Sequence, residues 1–191
     1  ADMKESAAVL PLPDSIAWLL NIRGTDIARN PVPQAFAVLH HDGRVELFAG
    51  VGKADDIADH LGPAVTVHDV DNFLPALASL DGKILIDKRT CPDKVAATLK
   101  AAGCDVVQGQ DPCILPKACK NDTEIAGAKA AHDRDAVAMV RFLAWRDAEA
   151  PKSGLTEIDV VKALEGFRMQ TNALRDISFE TICGAGPNGA I

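Results

Sequence analysis

The sequence predicts an α/β fold with a mixed sheet, followed by a helical segment. Short apolar runs alternate with helical patterns between Ala7 and Gln108, and this alternation is typical of an α/β layer. Asp42-Gly43 separates two apolar runs, which indicates a hairpin and therefore a sheet that is not purely parallel. After Asp111-Pro112 the pattern changes to longer runs with helical periodicity.

The elements of the first part follow from apolar runs bounded by turn residues. Pro13 and Asp14 suit the start of the first helix, and Gly103 suits the end of the fourth because a helix often stops on a left-handed residue. Pro31 and Pro33 force extended backbone on their neighbours, so the segment from Arg23 onward is a loop. The predicted strands are Ala7–Leu10, Gln34–His40, Val45–Ala49, Val65–Val70, Lys83–Asp87 and Asp105–Gln108, and the helices are Asp14–Asn21, Ala54–Leu61, Asn72–Leu80 and Pro92–Ala102.

The second part is predicted to hold two helices and one strand. A helix over Thr123–Glu149 would be capped by Asn121 or Asp122 and ended by Pro151, and a second would begin at Thr156-Glu157. Ser178–Cys183 has the pattern of a strand. The apolar face of the long helix is predicted at Ile125, Ala128, His132, Ala136, Met139, Val140 and Leu143. We place a domain boundary near residues 111–120.

Composition excludes several classes of function. The net charge is −7 and no stretch forms a basic patch, which argues against nucleic acid and against anionic membranes as partners. No apolar run approaches the ~18–20 residues of a membrane span, and the first residues lack the apolar core of a signal peptide. The five cysteines are irregularly spaced without a C-x-x-C pair, so we expect free thiols in the reducing cytoplasm.

A glycine-rich motif and one histidine resemble functional sites, but a structural role explains each of them better. Gly184–Gly189 matches G-x-G-x-x-G, but a dinucleotide site needs a helix opening at this turn and an acid about 20 residues later. A glycine turn between two strands is therefore the better interpretation. His132 is predicted to be a buried, hydrogen-bonded histidine of the long helix and not a metal ligand, because the pattern shows no converging ligands around it.

The loop after the first helix carries the candidate site residues Arg23, Asp26 and Asn30, and we consider it a candidate interdomain loop. An arginine in this setting is able to bind a carboxylate through two parallel hydrogen bonds. The simpler alternative, which we favour, is an ion pair that stabilises the loop. The residues alone reveal no active site.

Several strings, in order and spacing, resemble one family. They are Asp14–Ile27, Asn30–Pro33, Lys117–Asn121, Glu124-Ile125, Ala131–Asp135, Val140–Trp145, Leu155–Glu157, Leu164–Arg168, Ser178–Ile182 and Gly186–Ile191. The series is similar to the cytosolic, multi-domain Xaa-Pro aminopeptidases (aminopeptidase P) of the creatinase and proline dipeptidase group. The resemblance implies that residues 1–112 form a creatinase-N-like α/β domain. It implies that residues 117–191 form the opening helices and strand of a pita-bread metallopeptidase domain.

The resemblance also implies a chemistry. The family removes an N-terminal residue that precedes proline and uses two divalent metal ions, usually Mn²⁺, held by two Asp, one His and two Glu. None of these ligands matches a position in this sequence, so we expect no catalytic or metal-binding residue and no bound metal in this chain. The chain runs from Ala1, without an initiator Met, to Ile191 in a glycine-rich stretch. We therefore expect an inactive fragment of a longer cytoplasmic enzyme. Such a fragment would leave the half-sheet of the catalytic domain unpaired and its apolar face exposed. The resemblance also implies homodimers in the family.

Two alternatives stay open. A proline dipeptidase or creatinase-like hydrolase shares the fold but has a different specificity. A non-catalytic pita-bread relative would bind peptide or protein through the same fold. Fold analogy alone does not decide among these functions.

Overall fold

The computed structural model describes residues 4–152 and 154–189. Ala1 and the end of the string Gly186–Ile191, namely Ala190 and Ile191, lie outside the described residues. The chain divides into two compact units, one up to Cys119 and one from Lys120 onward.

The first unit is built on a six-stranded mixed sheet, as the sequence predicts. The strands are β1 (Ala7–Leu10), β2 (Phe36–His40), β3 (Val45–Ala49), β4 (Val65–Asp69), β5 (Lys83–Ile86) and β6 (Asp105–Gln108). Their order in the sheet is β4-β3-β2-β1-β5-β6. β1 pairs antiparallel with β2 and parallel with β5, and the predicted hairpin joins β2 to β3.

Five helices accompany the sheet, and four of them correspond to predicted segments. They are α1 (Pro13–Leu19), α2 (Ala58–Leu61), α3 (Phe73–Leu77), α4 (Asp93–Ala101) and α5 (Ile114–Ala118). α2 is shorter than predicted because a 3₁₀ turn, Asp55–Ile57, forms the first part of that segment, and α3 is shorter because it ends at Leu77 and not at Leu80. Gly103 has a φ of 84° after α4, in the left-handed region that was predicted for the helix end. α5 was not predicted, because Pro116 lies inside it and the apolar run is only one turn long.

Both faces of the sheet are covered by apolar side chains. On one face Val9, Val38 and Phe48 pack with Leu77 of α3 and Leu99 of α4. On the other face the alternate strand residues pack with α1 and with the start of α5, and the buried members there are Ala8, Leu10, Ile16, Ala35, Ala37, Val45, Leu47, Ala49 and Cys113. This two-sided burial explains why the inner strands β1, β2, β3 and β5 are rich in apolar residues, whereas the edge strands β4 and β6 have no fully buried residue.

The second unit contains α6 (Asp122–Glu149) and α7 (Glu157–Met169). Both helices begin with a capping box, formed by Asn121 with Glu124 and by Thr156 with Asp159. Asn121 was one of the two predicted caps. The two helices contact each other.

Two predictions for this unit are wrong. Residues 178–183 form no strand, because within the part of the unit that the structure describes no second strand offers hydrogen bonds to them. The buried face of α6 is centred on Ala138 and Phe142, whereas Val140 and Leu143 of the predicted face are exposed. The apolar arc of α6 is wider than one neighbour covers, so periodicity could not tell which part α7 occupies.

Candidate functional site

A pocket in the first unit lies beside the loop that carries Arg23 and Asp26. Its volume is about 250 Å³. Its floor is apolar and comes from the sheet, through Leu47 and Ala49 of β3, together with the neighbouring Ala35. Charged side chains lie around this floor: Arg23 and Asp26 from the loop and Lys53 from the turn after β3. We call this cavity the Arg23 pocket.

Asp26 links the two segments that form the wall of the pocket. One carboxylate oxygen, Oδ2, accepts a hydrogen bond from Lys53 Nζ at 2.7 Å and from the Gln34 backbone N–H at 2.6 Å. The Lys53 ammonium and then this N–H lower the pKa of Asp26 below its usual range. Asp26 is therefore ionised at neutral pH and holds the loop against the turn that carries Lys53.

Arg23 is on the same pocket wall but is not the partner of Asp26. Its Nη1 donates to the Ile22 carbonyl at 2.8 Å. Among the residues that the structure describes, this is its one hydrogen bond, and its remaining N–H groups face solvent and the pocket. The favoured prediction, an ion pair of Arg23 within its own loop, is not what the structure shows: Asp26 pairs with Lys53 of the turn after β3, and the Arg23 guanidinium forms no ion pair among the described residues.

Asn30 lies at the far end of the loop and does not line the pocket. Its backbone N–H donates to Ile27, and its carbonyl accepts from Val32. Gly24 lets the two arms of the loop approach closely, since a Cβ there would lie 2.6 Å from the backbone of Pro33. The structure therefore brings Arg23 and Asp26 to one pocket and gives Asn30 a place in the turn of the loop.

Lys53 was missed by sequence reasoning. It lies 27 residues from Asp26, and no local motif connects the two. The only sequence signal is the pair of glycines at Gly50 and Gly52, which marks a turn directly after β3. That signal predicts that Lys53 lies near an end of the sheet, but it does not predict which acidic residue Lys53 contacts.

A second polar cluster lies where β5 and β6 end. Asp87 is 3% exposed and accepts from Arg89 through Nε at 3.1 Å and Nη2 at 2.8 Å. Its Oδ2 also accepts from the backbone N–H of Asp111, whose own carboxylate accepts from the N–H of Cys113. Burial, and then the Asp111 charge, raise the pKa of the Cys113 thiol to about 12, which keeps it protonated. The cluster holds two loops together, and it is paired except at Asp111 Oδ2, which is buried without a hydrogen-bond partner among the described residues.

Glu46 lies between two histidines on three adjacent strands. His40 Nε2 is 2.8 Å from Oε1 of Glu46, and His68 Nε2 is 3.4 Å from Oε2. The two imidazoles therefore contact different oxygens of the carboxylate. Strand pairing, and not spacing along the sequence, brings the two histidines to Glu46.

In the second unit, Glu157 holds the glycine turn that matches G-x-G-x-x-G. Its Oε1 accepts from the backbone N–H of Ala185 at 2.6 Å, and both of its oxygens lie 3.2 Å from Asn188 Nδ2. Gly186–Gly189 form a 3₁₀ turn, so no helix opens there to receive a phosphate. The interpretation as a turn holds, but the flanking strands that were expected with it are not formed in residues 178–189.

His132 is exposed, contrary to the prediction that it is buried. Its Nδ1 lies 2.8 Å from the Ala128 carbonyl one turn earlier in α6. The prediction for Val140 failed for the same reason. His132 and Val140 are both exposed, because they lie on a side of α6 that α7 does not cover. It remains a hydrogen-bonded side chain of its own helix.

The described residues show no metal centre and no membrane helix. Across residues 4–152 and 154–189, no three His, Cys, Asp or Glu side chains come together in a way that suits a metal ion. Over the same residues, none of the helices combines the length and the apolar character that crossing a bilayer requires. The five cysteines, all within these ranges, are free thiols.

Comparison with known proteins links both units to one group. Residues 1–124 match the family described as the creatinase/prolidase N-terminal domain, and residues 126–191 match metallopeptidase family M24. Xaa-Pro aminopeptidase 1 of Dictyostelium discoideum is 37% identical over 201 residues, which covers 100% of this chain and 31% of that protein. Aminopeptidase P2 of Arabidopsis thaliana is 33% identical, again over 100% of this chain and 31% of the relative.

Solved structures agree with the sequence relatives. The X-prolyl aminopeptidase of Caenorhabditis elegans, described as a cytosolic enzyme with a di-nuclear active site, superposes with a TM-score of 0.84 at 25% identity. That match covers 93% of this chain and 30% of the other. The prolidase of Pyrococcus horikoshii shares the fold, with a TM-score of 0.69 at 16% identity.

These matches extend over nearly all of this chain, which spans just under a third of the length of the Dictyostelium and Arabidopsis proteins. The six-stranded mixed sheet lies within the first matched segment, and α7 and most of α6 lie within the second. The chain therefore belongs to the creatinase/prolidase N-terminal domain family and continues into metallopeptidase family M24.

Proposed function

We propose that this chain is part of a metal-dependent Xaa-Pro aminopeptidase, which hydrolyses the bond between an N-terminal residue and a following proline. One observation carries the proposal: the 37% identity with a protein named Xaa-Pro aminopeptidase 1 extends over both units of the chain. Similarity limited to the first unit would have indicated only a shared accessory domain. The substrates on this proposal are peptides with proline in the second position.

Within such an enzyme we assign residues 1–112 to the creatinase-N-like domain and residues 117–191 to the first part of the catalytic domain. The two compact units on either side of the Cys119–Lys120 bond support this assignment. We place the enzyme in the cytoplasm, since the C. elegans enzyme is described as cytosolic. We also propose a homodimer, which the family resemblance implies.

A di-nuclear metal site does not fit the side chains that the structure describes, because no three suitable donors converge among them. The two divalent ions, with Mn²⁺ the preferred metal, would lower the pKa of a bridging water and polarise the scissile carbonyl. We assign no step of that chemistry to a residue of this chain. On this proposal the chain by itself neither holds the ions nor hydrolyses peptides.

The test compares this chain with the full-length product of its gene. Both are incubated with Mn²⁺ and a tripeptide Xaa-Pro-Yaa, and the released N-terminal residue is measured. We expect release by the full-length protein and none by the chain alone, and a matched Xaa-Ala-Yaa peptide should stay intact. Cleavage of Xaa-Pro dipeptides only would establish a proline dipeptidase instead. Absence of any cleavage would favour a non-catalytic peptide-binding protein.

Metal binding is measured on the same samples by calorimetry. We expect no tight, stoichiometric Mn²⁺ site on this chain, and replacing His132 by Ala should leave the titration unchanged. A stoichiometric site on the chain that His132→Ala abolishes would contradict the assignment of the metal centre to other residues.

A further inference from the structure

The Arg23 pocket combines an apolar floor with the Arg23 guanidinium, whose one hydrogen bond among the described residues is to the Ile22 carbonyl. Ile22, Ala35, Leu47 and Ala49 of its lining are each less than 9% exposed, so the floor belongs to the core and does not yield when a ligand enters. Pockets for drug-sized ligands measure roughly 300–1,000 Å³. At about 250 Å³, this pocket is sized for one compact residue.

The charges on the pocket wall favour an anion. Asp26 is neutralised by Lys53 at 2.7 Å and by the N–H of Gln34, and so presents little net negative charge to a ligand. Arg23 keeps Nε and Nη2 without a partner among the described residues and adds one net positive charge. A planar guanidinium with free N–H groups matches a carboxylate, which accepts two parallel hydrogen bonds.

The surroundings limit how much negative charge a ligand carries. Asp55 and Asp56 follow directly after the pocket residues Lys53 and Ala54, and the whole chain has a net charge of −7. These carboxylates repel a multiply charged group such as a phosphate more strongly than a single carboxylate. Because of these acidic residues and the net negative charge, the pocket favours a ligand with a single negative charge.

We propose that the Arg23 pocket binds the C-terminal residue of a peptide when that residue has a compact apolar side chain. The side chain lies on the floor formed by Leu47, Ala49 and Ala35, and the terminal carboxylate receives hydrogen bonds from Arg23. This site is in the first unit, needs no metal and is independent of the proposed hydrolysis. Each proposal can therefore fail without the other.

The experiment titrates the isotopically labelled chain with small probes and follows backbone amide signals by NMR. The probes are a tripeptide ending in Val, the same tripeptide with a C-terminal amide, and N-acetyl-valine. We expect the tripeptide acid to shift the signals of Gly24, Ala35, Ala49 and Lys53, with saturation in the millimolar range. The amide should not bind. Tighter binding of the tripeptide than of N-acetyl-valine distinguishes a peptide terminus from a free amino-acid derivative.

Variants test the role of the guanidinium. Arg23→Gln should weaken binding of the tripeptide acid about tenfold, as expected for loss of a hydrogen bond to a charged group. Arg23→Lys should have an intermediate effect, since it keeps the charge without the planar fork. Arg44→Gln, at the β2–β3 turn where Arg44 pairs with Asp42, is the matched control and should bind as the parent chain does.

Three outcomes would overturn the proposal. One is that acid and amide bind equally, and another is that Arg23→Gln and Arg44→Gln have the same affinity. The third is that no probe shifts the pocket signals at all. Because Arg23 is exposed, its replacement should leave the fold intact, and the unchanged spectrum of the remaining residues verifies this.

Discussion

Asp26 and Asp87 each hold two chain segments together with one carboxylate. Asp26 joins the loop after α1 to the turn after β3, through Gln34 and Lys53. Asp87 joins the loop after β5 to the loop after β6, through Arg89 and Asp111. The two differ in exposure, since the Asp87 side chain is 3% exposed and the Asp26 side chain 24%. We therefore expect Asp87 to contribute more to stability.

Replacing Asp26 by Ala should lower the free energy of unfolding by about 1–2 kcal/mol, because it removes a hydrogen bond to the backbone as well as an ion pair. Lys53→Met removes the ion pair alone and should cost less than about 1 kcal/mol. Urea denaturation of the two variants measures both values. Equal losses would mean that the bond to Gln34 adds nothing.

Replacing Asp87 by Asn should lower the free energy of unfolding at pH 7 by about 2 kcal/mol, since a nearly buried carboxylate loses charged partners while Arg89 stays solvated. The Arg89 guanidinium lowers the pKa of Asp87 well below its usual range, and burial only partly opposes this. A depressed folded-state pKa gives stability that is present above the unfolded-state pKa, near 3.9, and is lost as the pH falls below it.

The difference between the parent chain and Asp87→Asn should therefore shrink between pH 5 and pH 2. Urea denaturation across this range measures it, with the exposed Asp59→Asn as control. If the difference in free energy of unfolding stays constant down to pH 2, the stabilisation by Asp87 does not depend on its ionisation.

At the scale of elements, the sequence predicts the structural features that depend on residues close together in the chain. It does not predict those that depend on contacts between distant segments. The strands and the cap at Asn121 depend on local signals, and the structure confirms them. The segment 178–183 has strand composition, but a strand also needs a partner. The buried side of α6 depends on α7, and the pairing of Asp26 with Lys53 depends on how the sheet places two turns. None of these is encoded in local spacing.

The contact between α6 and α7 includes an ion pair that could not be predicted from the spacing of apolar residues along the two helices. Arg168 Nε and Nη2 lie 2.7 and 3.0 Å from the two oxygens of Asp135. A double-mutant cycle with Arg168→Ala and Asp135→Ala should give a coupling energy of about 1 kcal/mol, as expected for a two-point contact at a partly exposed site. The neighbouring exposed pair Arg146 and Asp147 provides the control cycle, for which we expect a coupling near zero.

At the scale of the whole molecule, exposed large apolar side chains are unevenly distributed over the described residues. Four lie on α6, namely Ile125, Val137, Val140 and Leu143. Five more follow in the same unit: Ile158, Met169, Leu174, Phe179 and Ile182. Contiguous exposed apolar surface promotes association. The half-sheet whose apolar face was expected to be exposed is not formed in residues 178–189, and the exposed apolar side chains of the second unit lie instead on α6 and in the segments that follow it.

The double variant Val140→Lys and Leu143→Lys should reduce concentration-dependent self-association of this chain, because two charges replace the centre of the exposed apolar side of α6. Static light scattering over a concentration series measures the effect. Val51→Lys is the control, because Val51 is an exposed apolar residue of the first unit, in the turn after β3. Similar scattering by both variants would show that α6 is not the associating surface.

The central place of β1 determines when its hydrogen bonds are completed during synthesis. Of the six strands of this sheet, β1 is the first to be synthesised, yet its parallel partner contains Ile84, which pairs with Ala7. The hairpin of β2 and β3 supplies one neighbour early, while the opposite edge of β1 stays open until β5 has emerged. During that interval this open edge is able to pair with a second nascent chain. Early recruitment of a chaperone to this region would protect the growing sheet.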